Sequence, residues 1–398
     1  MAFEPPLALK RLVIHSVKAE WKAYAFSPLI LDLDASRADV IAEEIGTALA
    51  QTYADTDFES LTMGLPIYLW VNEKVLENLY LLEDIANLKG LFIPISILSQ
   101  ENWPSYAQAI HDANLEIIVD DLPDGGIGAH TTGSTGAEWA VLSARKNLVS
   151  ATVENLRSKG FKILVADAPR SFFDGNVDLG EAYLGPMYYG RRSQQHPLAP
   201  GEAQCLEALR LLSEPNANLA EVSAVLSLDP EMTIRVLHLA NSAAIGSSQR
   251  IDSLTHAIVY LGAQRISSLV MTSMISARLS DPHTMWSVLT RASVCRTLAN
   301  NAEAAYTAGL LSALAEEVGE ASESMAIRAG VSFEVSLALS SGVGDLGALI
   351  DAVRAYERAD IPEVIRHGWD PVDIADAYFR ALPTTYEYLK LLHSVSAA

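Results

Sequence analysis

The sequence predicts two domains of different fold class, an α/β domain followed by an all-α domain. Up to about residue 193, short runs rich in Ile, Leu and Val alternate with amphipathic stretches, which is the pattern of βα units around a buried parallel sheet. After the polar stretch "RRSQQHPLAPGEAQ" strand signals stop and helical spacing continues alone. A chain of 398 residues also exceeds what one compact core usually serves. We therefore predict domains at residues 1–195 and 196–398.

Short apolar runs predict the strands of the first domain. They are "RLVIHSV", "PLILDLD", "GLPIYLWV", "GLFIPIS", "LEIIVDD" and "FKILVAD". Helical stretches separate several of them, for example "SRADVIAEEIGTALAQTYA" and "NLVSATVENLRSKG". About six such strands can form either an open sheet or a barrel, and periodicity alone does not choose between the two.

The clearest predicted helix of the second domain lies at "SLDPEMTIRVLHLANSAA". Asp229 can cap this helix, and Pro230 suits its first turn because the missing N–H has no partner there. Its apolar residues share one face: Met232, Val236, Leu239 and Ala243. The next helix is predicted to start at Ser253 and to stop at Gly262. Helical spacing continues in "AQRISSLVMTSMISARLS", "MWSVLTRASVCRTLANN", "EAAYTAGLLSALAEEVG" and "DLGALIDAVRAYERA".

The composition limits the classes of protein to which the chain can belong. Hydrophobic residues make up 50% and charged residues 19%, which predicts a folded chain. The net charge of −21 repels phosphate backbones, so we expect no general binding to nucleic acid. Cys205 and Cys295 lie far apart, which excludes a disulfide framework or a zinc-finger spacing. No signal peptide and no apolar run of about 18 residues is visible, so we expect a cytoplasmic protein that does not enter a membrane.

The stretches that could carry chemistry are incomplete. The Gly-rich "DGGIGAHTTGSTG" lacks the lysine of a phosphate-binding loop and has Thr131 where a dinucleotide fingerprint needs glycine, so we interpret it as a surface loop. Asp120 and Asp121 end an apolar strand, where barrels place catalytic groups, but neighbouring side chains on a strand face opposite ways. His238 and His256 have no metal-ligand spacing, and we interpret both as packing residues. We therefore expect no catalytic residue, no metal and no cofactor.

The first part of the second half resembles a known signalling family. The stretch "LRLLSEPNANLAEVSAVLSLDPEMTIRVLHLANSAAIGSSQRIDSLTHAIVYLGAQRISSLVMTSM" is similar to the HDOD domain, the HD-related output domain of bacterial signalling proteins. The matching features are Asp229-Pro230, Leu239-Ala240-Asn241-Ser242, Ile251 through Ala257-Ile258, and Leu261-Gly262. The resemblance implies an all-α bundle that is related to HD metal phosphohydrolases but lacks their full metal-binding set.

The same resemblance implies that the helix at "EAAYTAGLLSALAEEVGE" once belonged to a metal site. In HD relatives residues 308–314 would read AGLLHDI, with His and Asp as ligands, whereas this chain has Ser312 and Ala313. A hydroxyl is at best a weak ligand and a methyl group is none. We expect the helix to persist because Ala308, Leu311 and Leu314 still fill a core.

The first half resembles a degenerate EAL domain, the (β/α) barrel of cyclic-di-GMP phosphodiesterases, which one known architecture pairs with HDOD. The resemblance rests on "LEIIVDDLPDGG", "FKILVADAPRS" and "LGEAYLGPMYYGRR". No Glu-Ala-Leu triplet occurs near the first strands, where "AYAFSPL" stands. The resemblance puts Leu142 at the place of a catalytic lysine, Asp167 at that of a glutamate and Leu184 at that of a glutamine. About 195 residues are few for a barrel of about 250, so we expect an incomplete or degenerate barrel.

These resemblances imply a non-catalytic bacterial signal-transduction protein that acts through contacts with other signalling proteins, with a homodimer left open. Two alternatives remain at this stage. The first is a sensor that binds cyclic-di-GMP or another nucleotide without cleaving it, although the acidic charge and the missing lysine argue against cyclic-di-GMP binding. The second is a residual metal-dependent phosphodiesterase, which would need ligands that the sequence does not show.

Overall fold

In the computed structural model the chain divides into two compact units, Met1–Gly190 with Glu357–Ile361, and Arg191–Tyr356 with Pro362–Ala398. The structure describes residues 8–16, 18, 20–29, 48–120, 122, 136–145, 148–168, 179–185, 202–212, 217–243, 251–278, 282–318, 321–329 and 331–396. The predicted boundary at residues 194–201 lies outside the described residues. So do Asp121 and all but the last residue of the Gly-rich stretch.

The first unit is a closed barrel of eight strands. The strands are β1 Leu9–His15, β2 Trp21–Pro28, β3 Ile67–Trp70, β4 Leu88–Pro94, β5 Glu116–Asp120, β6 Trp139–Ser143, β7 Lys162–Ala166 and β8 Ala182–Leu184. Strands β2 to β8 pair in order and in parallel, whereas β1 pairs antiparallel with both β2 and β8. The start of β1 therefore lies at the same end of the barrel as the carboxyl ends of the other strands.

The expectation of an incomplete barrel is wrong at the level of strands, because the ring closes. The unit is short because only residues 16–20 separate β1 from β2, which leaves no room for a crossover helix. Five of the predicted apolar runs overlap β1, β3, β4, β5 and β7. Strand β2 ends at the first residue of the predicted run "PLILDLD", most of which lies outside the described residues. No apolar run announced β6 or β8, although β8 lies in a segment that carries the EAL resemblance.

Short helices surround the barrel strands. They are α1 Phe58–Thr62, α2 Glu73–Leu76, α3 Ile95–Leu98, α4 Trp103–Asp112 and α5 Ser150–Ser158, with a 3-10 turn at Leu79–Leu82. The predicted helical stretch at residues 147–160 contains α5, and residues 48–55 are the described part of the helix predicted before β3.

One cluster of buried side chains fills the barrel interior. Every strand contributes to it: Ile14, Ala23, Ala25, Tyr68, Phe92, Ile118, Val141, Leu164 and Ala182. Because side chains on a strand alternate between two faces, this cluster shows which residues of each strand point inward. Residues an even number of positions away from a cluster member share its inward face.

Carboxylates at the amino ends of the parallel strands serve the backbone. Glu138 accepts a hydrogen bond from the Ile117 N–H at 2.8 Å, and Glu181 accepts one from the Ile163 N–H at 2.6 Å. Arg157 holds Glu181 in place at 2.9 Å. Each glutamate precedes one strand and satisfies the neighbouring strand, so this end of the barrel has a structural use for its acidic groups.

After residue 201 every described element is a helix, as predicted for the second half. The helices are α6 Glu202–Leu212, α7 Leu219–Leu226, α8 Pro230–Ala243, α9 Leu254–Arg278, α10 Pro282–Leu298, α11 Glu303–Val318, α12 Ser322–Ala329, α13 Phe333–Ser341, α14 Gly344–Glu357, α15 Ile361–Arg366 and α16 Pro371–Ser396. Within the described part of the chain, no single helix has both the length and the apolar composition for a membrane span. Among the described helices, one bent pair, α13 and α14, meets both conditions together.

Two predicted helix signals of the second half are confirmed. The Asp229 carboxylate accepts a hydrogen bond from the Met232 N–H at 3.1 Å and so caps the start of α8. Gly262 has φ of 76°, a left-handed conformation that glycine adopts at little cost, and it interrupts α9 where the stop was predicted. The helical path resumes after this kink, so Gly262 breaks the helix without ending it.

Asn241 fastens the end of α8 to the chain that enters α9. Its amide group donates to the carbonyl oxygens of Leu237 and Ile251, both at 2.9 Å. The Ile251 N–H donates to the side-chain oxygen of Asn241, also at 2.9 Å. Both backbone groups of Ile251 are therefore satisfied by one amide, as a neighbouring strand would satisfy them. This asparagine of the HDOD signature has a structural role.

We predict that Asn241→Asp destabilises the chain by about 2 kcal/mol, because the carboxylate loses both donated hydrogen bonds and faces two carbonyl oxygens. Chemical denaturation of the full chain measures the change. Asn300→Asp makes the same substitution at an exposed position and is expected to stay within about 0.5 kcal/mol of the parent. Equal effects at the two positions would contradict the role of Asn241.

Candidate functional site

The candidate site lies at the carboxyl ends of the parallel strands, which we call the barrel mouth. Enzymes and binding proteins built on such barrels place their functional groups at this end. Lys10 of β1 shares the inward face with Ile14, and Asp120 of β5 shares that of Ile118. The mouth residues are Lys10, Asp120, Ser143, Asp167 and Leu184.

Lys10 is the cation of the barrel mouth. Its side chain is partly buried, and this burial lowers its pKa below the ordinary value, while the negative charges of Asp167 and Asp120 act in the opposite direction. Asp167 is held from its other side by Ser143, whose hydroxyl group lies 3.1 Å from the carboxylate. The mouth thus contains an ammonium group in the field of two carboxylates.

The structure shows which residues of β6 and β8 face the mouth. Leu142 is fully buried, and it lies on the outer face of β6 because its neighbour Val141 belongs to the interior cluster. The residue of this strand that faces the mouth is Ser143. Leu184 faces inward and lines the mouth. Leu142, which the EAL resemblance puts at the place of a lysine, therefore does not face the mouth.

An open cavity at the mouth combines apolar walls with two charged groups. Its barrel walls are formed by Leu12, Ala25, Phe26, Trp70, Phe92 and Leu184, among others, and its charged groups are Lys10 and Asp120. Such a cavity can hold a planar apolar group beside a cation and a carboxylate.

The mouth residues do not fit the pair of divalent ions that the EAL resemblance implies. Each ion needs several oxygen ligands at close range. Asp120 and Asp167 supply carboxylates, but Lys10 offers only N–H donors and Leu184 offers no ligand. Among the residues that the structure describes, no group of three or more His, Cys, Asp or Glu side chains could hold a metal ion.

The helical unit shows the second place where a metal was considered. Ser312 and Ala313 are both buried in α11, with 1% and 3% of their surface exposed. Ala308, Leu311 and Leu314 are buried as well, which confirms that this helix still fills a core. The Ser312 hydroxyl oxygen accepts a hydrogen bond from the Arg291 guanidinium at 3.3 Å.

An ionic cluster surrounds that serine and joins three helices. Glu316 of α11 accepts hydrogen bonds from Arg291 of α10 at 2.7 Å and from Arg354 of α14 at 2.6 Å. Arg354 also donates to Asp351 at 3.2 Å. Burial alone would raise the pKa of Glu316, but the charges and hydrogen bonds of the two arginines outweigh it and lower the pKa to about 2. We call Arg291, Glu316, Asp351 and Arg354 the α10–α11–α14 cluster.

Of the remaining candidates from the sequence, those that the structure describes belong to neither site. The side chain of His238 lies outside the described residues, and His256 is exposed near the start of α9. Cys205 and Cys295 are buried and are not joined by a disulfide bond.

Sequence reasoning did not single out Lys10 or the arginine pair. Lys10 did carry a signal, since it interrupts an apolar strand run at a position that shares the face of Leu12 and Ile14. Arg291 carried a similar one, because it stands inside the otherwise uncharged helical stretch "WSVLTRASVC".

Comparison with known proteins agrees with the helical half. Residues 199–326 match the family model of the HDOD domain. The helical half thus contains a region that matches the HDOD domain, and it follows an amino-terminal closed barrel of eight strands.

Two individual relatives are similar to this chain. The cyclic di-GMP phosphodiesterase CdgJ of Vibrio cholerae serotype O1 is 25% identical over 202 residues, which cover 47% of this chain and 46% of that protein. The matched region therefore spans less than half the length of this relative. A solved structure from Marinobacter aquaeolei VT8, provisionally described as a signal transduction protein, has 14% identity and a TM-score of 0.37, with 99% of this chain and 95% of that chain covered.

Proposed function

We propose that this protein is a signal-transduction regulator that acts through contacts with other signalling proteins and does not hydrolyse a cyclic dinucleotide. The observation that carries the proposal is the composition of the barrel mouth. There Lys10 lies in the field of Asp120 and Asp167, and Leu184 lines the wall.

The chemistry of phosphodiester cleavage explains why this composition matters. Metal-dependent hydrolysis needs cations that bind the attacking water and the phosphate together. An ammonium group can attract a phosphate, but it neither coordinates a water nor lowers the pKa of that water as a divalent ion does. A leucine side chain can do neither. The mouth groups therefore suit binding better than hydrolysis.

The comparisons support a place in cyclic-di-GMP signalling. The HDOD match covers the start of the helical half, and one relative at low identity is named a cyclic di-GMP phosphodiesterase. The activity in that name belongs to the relative. For this chain the mouth residues favour a role without cleavage.

A second candidate function is nucleotide sensing without hydrolysis, and one observation favours it. Trp70 and Phe92 line the same cavity as Lys10. Aromatic faces can stack on a nucleobase while a lysine pairs with its phosphate. The net charge of −21 opposes an anionic ligand, so we rank this function below protein contact.

We predict that the purified full chain releases no linear product from cyclic-di-GMP in the presence of Mg²⁺ or Mn²⁺, because the described residues of the mouth supply only two carboxylates, Asp120 and Asp167, for both ions. Chromatography of the nucleotides measures cleavage, and equilibrium dialysis of the same samples measures binding. Binding without product would favour the sensor. The absence of both binding and product would favour protein contact. Product that grows with protein concentration and disappears in Asp120→Ala would overturn the proposal.

A further inference from the structure

We propose that Lys10 is a built-in counter-ion of the barrel mouth and takes the place where a divalent cation would otherwise bind Asp120 and Asp167. The inference deepens the proposed function, because it gives the physical reason why the mouth would not collect a metal. It concerns binding of the cation alone, so it can fail while the absence of hydrolysis holds.

Strand direction brings the three charged groups together. Since β1 runs antiparallel to its neighbours, its first residues lie beside the last residues of β2, and Lys10 pairs with Ser27 in the ladder. On a parallel first strand the same position would lie at the opposite end of the barrel. Asp120 ends β5 and Asp167 follows β7, so all three lie at one end.

The surroundings strengthen the interaction between these charges. The mouth cavity has apolar walls, which include Leu12, Trp70 and Phe92, and charges beside such walls are screened less than in open water. Two carboxylates in this setting repel each other unless a cation lies near them. A lysine attached to the barrel supplies that cation without the entropy cost of capturing an ion from solution.

Lys22 of β2 is an exposed lysine of the same barrel, with 54% of its side chain accessible, and it pairs with Glu20 at 2.9 Å. Removing Lys22 changes the net charge by the same amount as removing Lys10, but at the surface. It therefore serves as the matched control.

Terbium luminescence can test the proposal, because Trp70 lines the cavity and can transfer excitation to an ion bound beside Asp120. We expect Lys10→Met to bind Tb³⁺ with an affinity at least about tenfold higher than the parent chain, since it removes a repelling unit charge from the mouth. Lys22→Met should bind like the parent.

Two further variants assign any gain to this place. Lys10→Met combined with Asp120→Asn should lose the gain, and Lys10→Arg should bind like the parent because it keeps the positive charge. The proposal is overturned if Lys10→Met shows no gain over Lys22→Met. It is also overturned if the parent chain already binds one Tb³⁺ that Asp120→Asn abolishes. This last measurement needs no Lys10 variant, so it decides the question even if Lys10→Met does not fold.

Discussion

Replacing Glu316 by glutamine is expected to destabilise the helical unit by about 3 kcal/mol at pH 7. The glutamate is the shared partner of Arg291 and Arg354 in the α10–α11–α14 cluster, at 2.7 Å and 2.6 Å. Only 10% of the Arg291 side chain is accessible, so the substitution removes a negative charge from beside a nearly buried guanidinium. An unpaired buried charge costs far more than the loss of a surface ion pair.

The pH dependence gives this prediction a second readout. The pKa of Glu316 lies at about 2 in the folded chain, below its ordinary value of 4.5. A carboxyl group with a lowered folded pKa contributes stability above its unfolded pKa, and this contribution is lost as the pH falls through the folded value. The difference in melting temperature between the parent and Glu316→Gln should therefore be full above pH 4.5 and should shrink between pH 4.5 and pH 2.

The matched control is Glu207→Gln, which removes the partner of Arg210 on α6. This pair is three residues apart at the surface, and its loss is expected to cost no more than about 1 kcal/mol. A Glu316→Gln effect as small as that of Glu207→Gln would show that the cluster is solvated and does not join the helices. A difference that stays constant down to pH 2 would show that the charge of Glu316 is not its cause.

The barrel illustrates what apolar patterns can and cannot predict. Runs such as "FKILVAD" contain a whole strand, so β7 could be placed from sequence alone. Strand β8 has only three residues, Ala182–Leu184, which is too short to show a period. Closure of the ring could not be predicted at all, because it depends on pairing between β1 and β8, whose residues are about 170 positions apart in the chain.

The sequence predicted only some of the residues of the barrel mouth. Asp120 and Leu184 share the inward face of β5 and β8, but the sequence did not decide whether Asp120 or Asp121 faces the interior. Lys10 was missed because its role depends on the antiparallel direction of β1, which no local pattern reveals. The antiparallel pairing turns an ordinary strand lysine into the cation of the mouth.

In the helical unit, too, local signals could be predicted and contacts between distant residues could not. The cap at Asp229 and the break at Gly262 are local, and the sequence predicts both. Arg291 meets Ser312 and Glu316 across 21 and 25 residues, so only the packing of α10 on α11 brings them together. Ser312 alone indicated a lost metal ligand. The structure adds that a guanidinium now lies beside that position.

The other large expected effect concerns lysine substitutions in β6, whose cost depends on which face of the strand they occupy. Leu142 is fully buried on the outer face of the strand, so Leu142→Lys should destabilise the barrel by about 4 kcal/mol or more, because an ammonium group has no partner there. Ser143→Lys, one residue later, should cost less than about 1 kcal/mol, since its new charge points into the mouth toward Asp167.

Chemical denaturation of both variants beside Leu142→Met decides the matter. Methionine nearly keeps the volume and the apolar character of leucine, so this control is expected to cost less than about 1.5 kcal/mol and to separate the effect of charge from that of shape. A well-tolerated Leu142→Lys together with a damaging Ser143→Lys would show that Leu142, and not Ser143, faces the barrel interior. It would then return Leu142 to the mouth, at the place of the lysine that the EAL resemblance expects. We expect the opposite result, in which Ser143→Lys is tolerated and adds a second cation to the mouth.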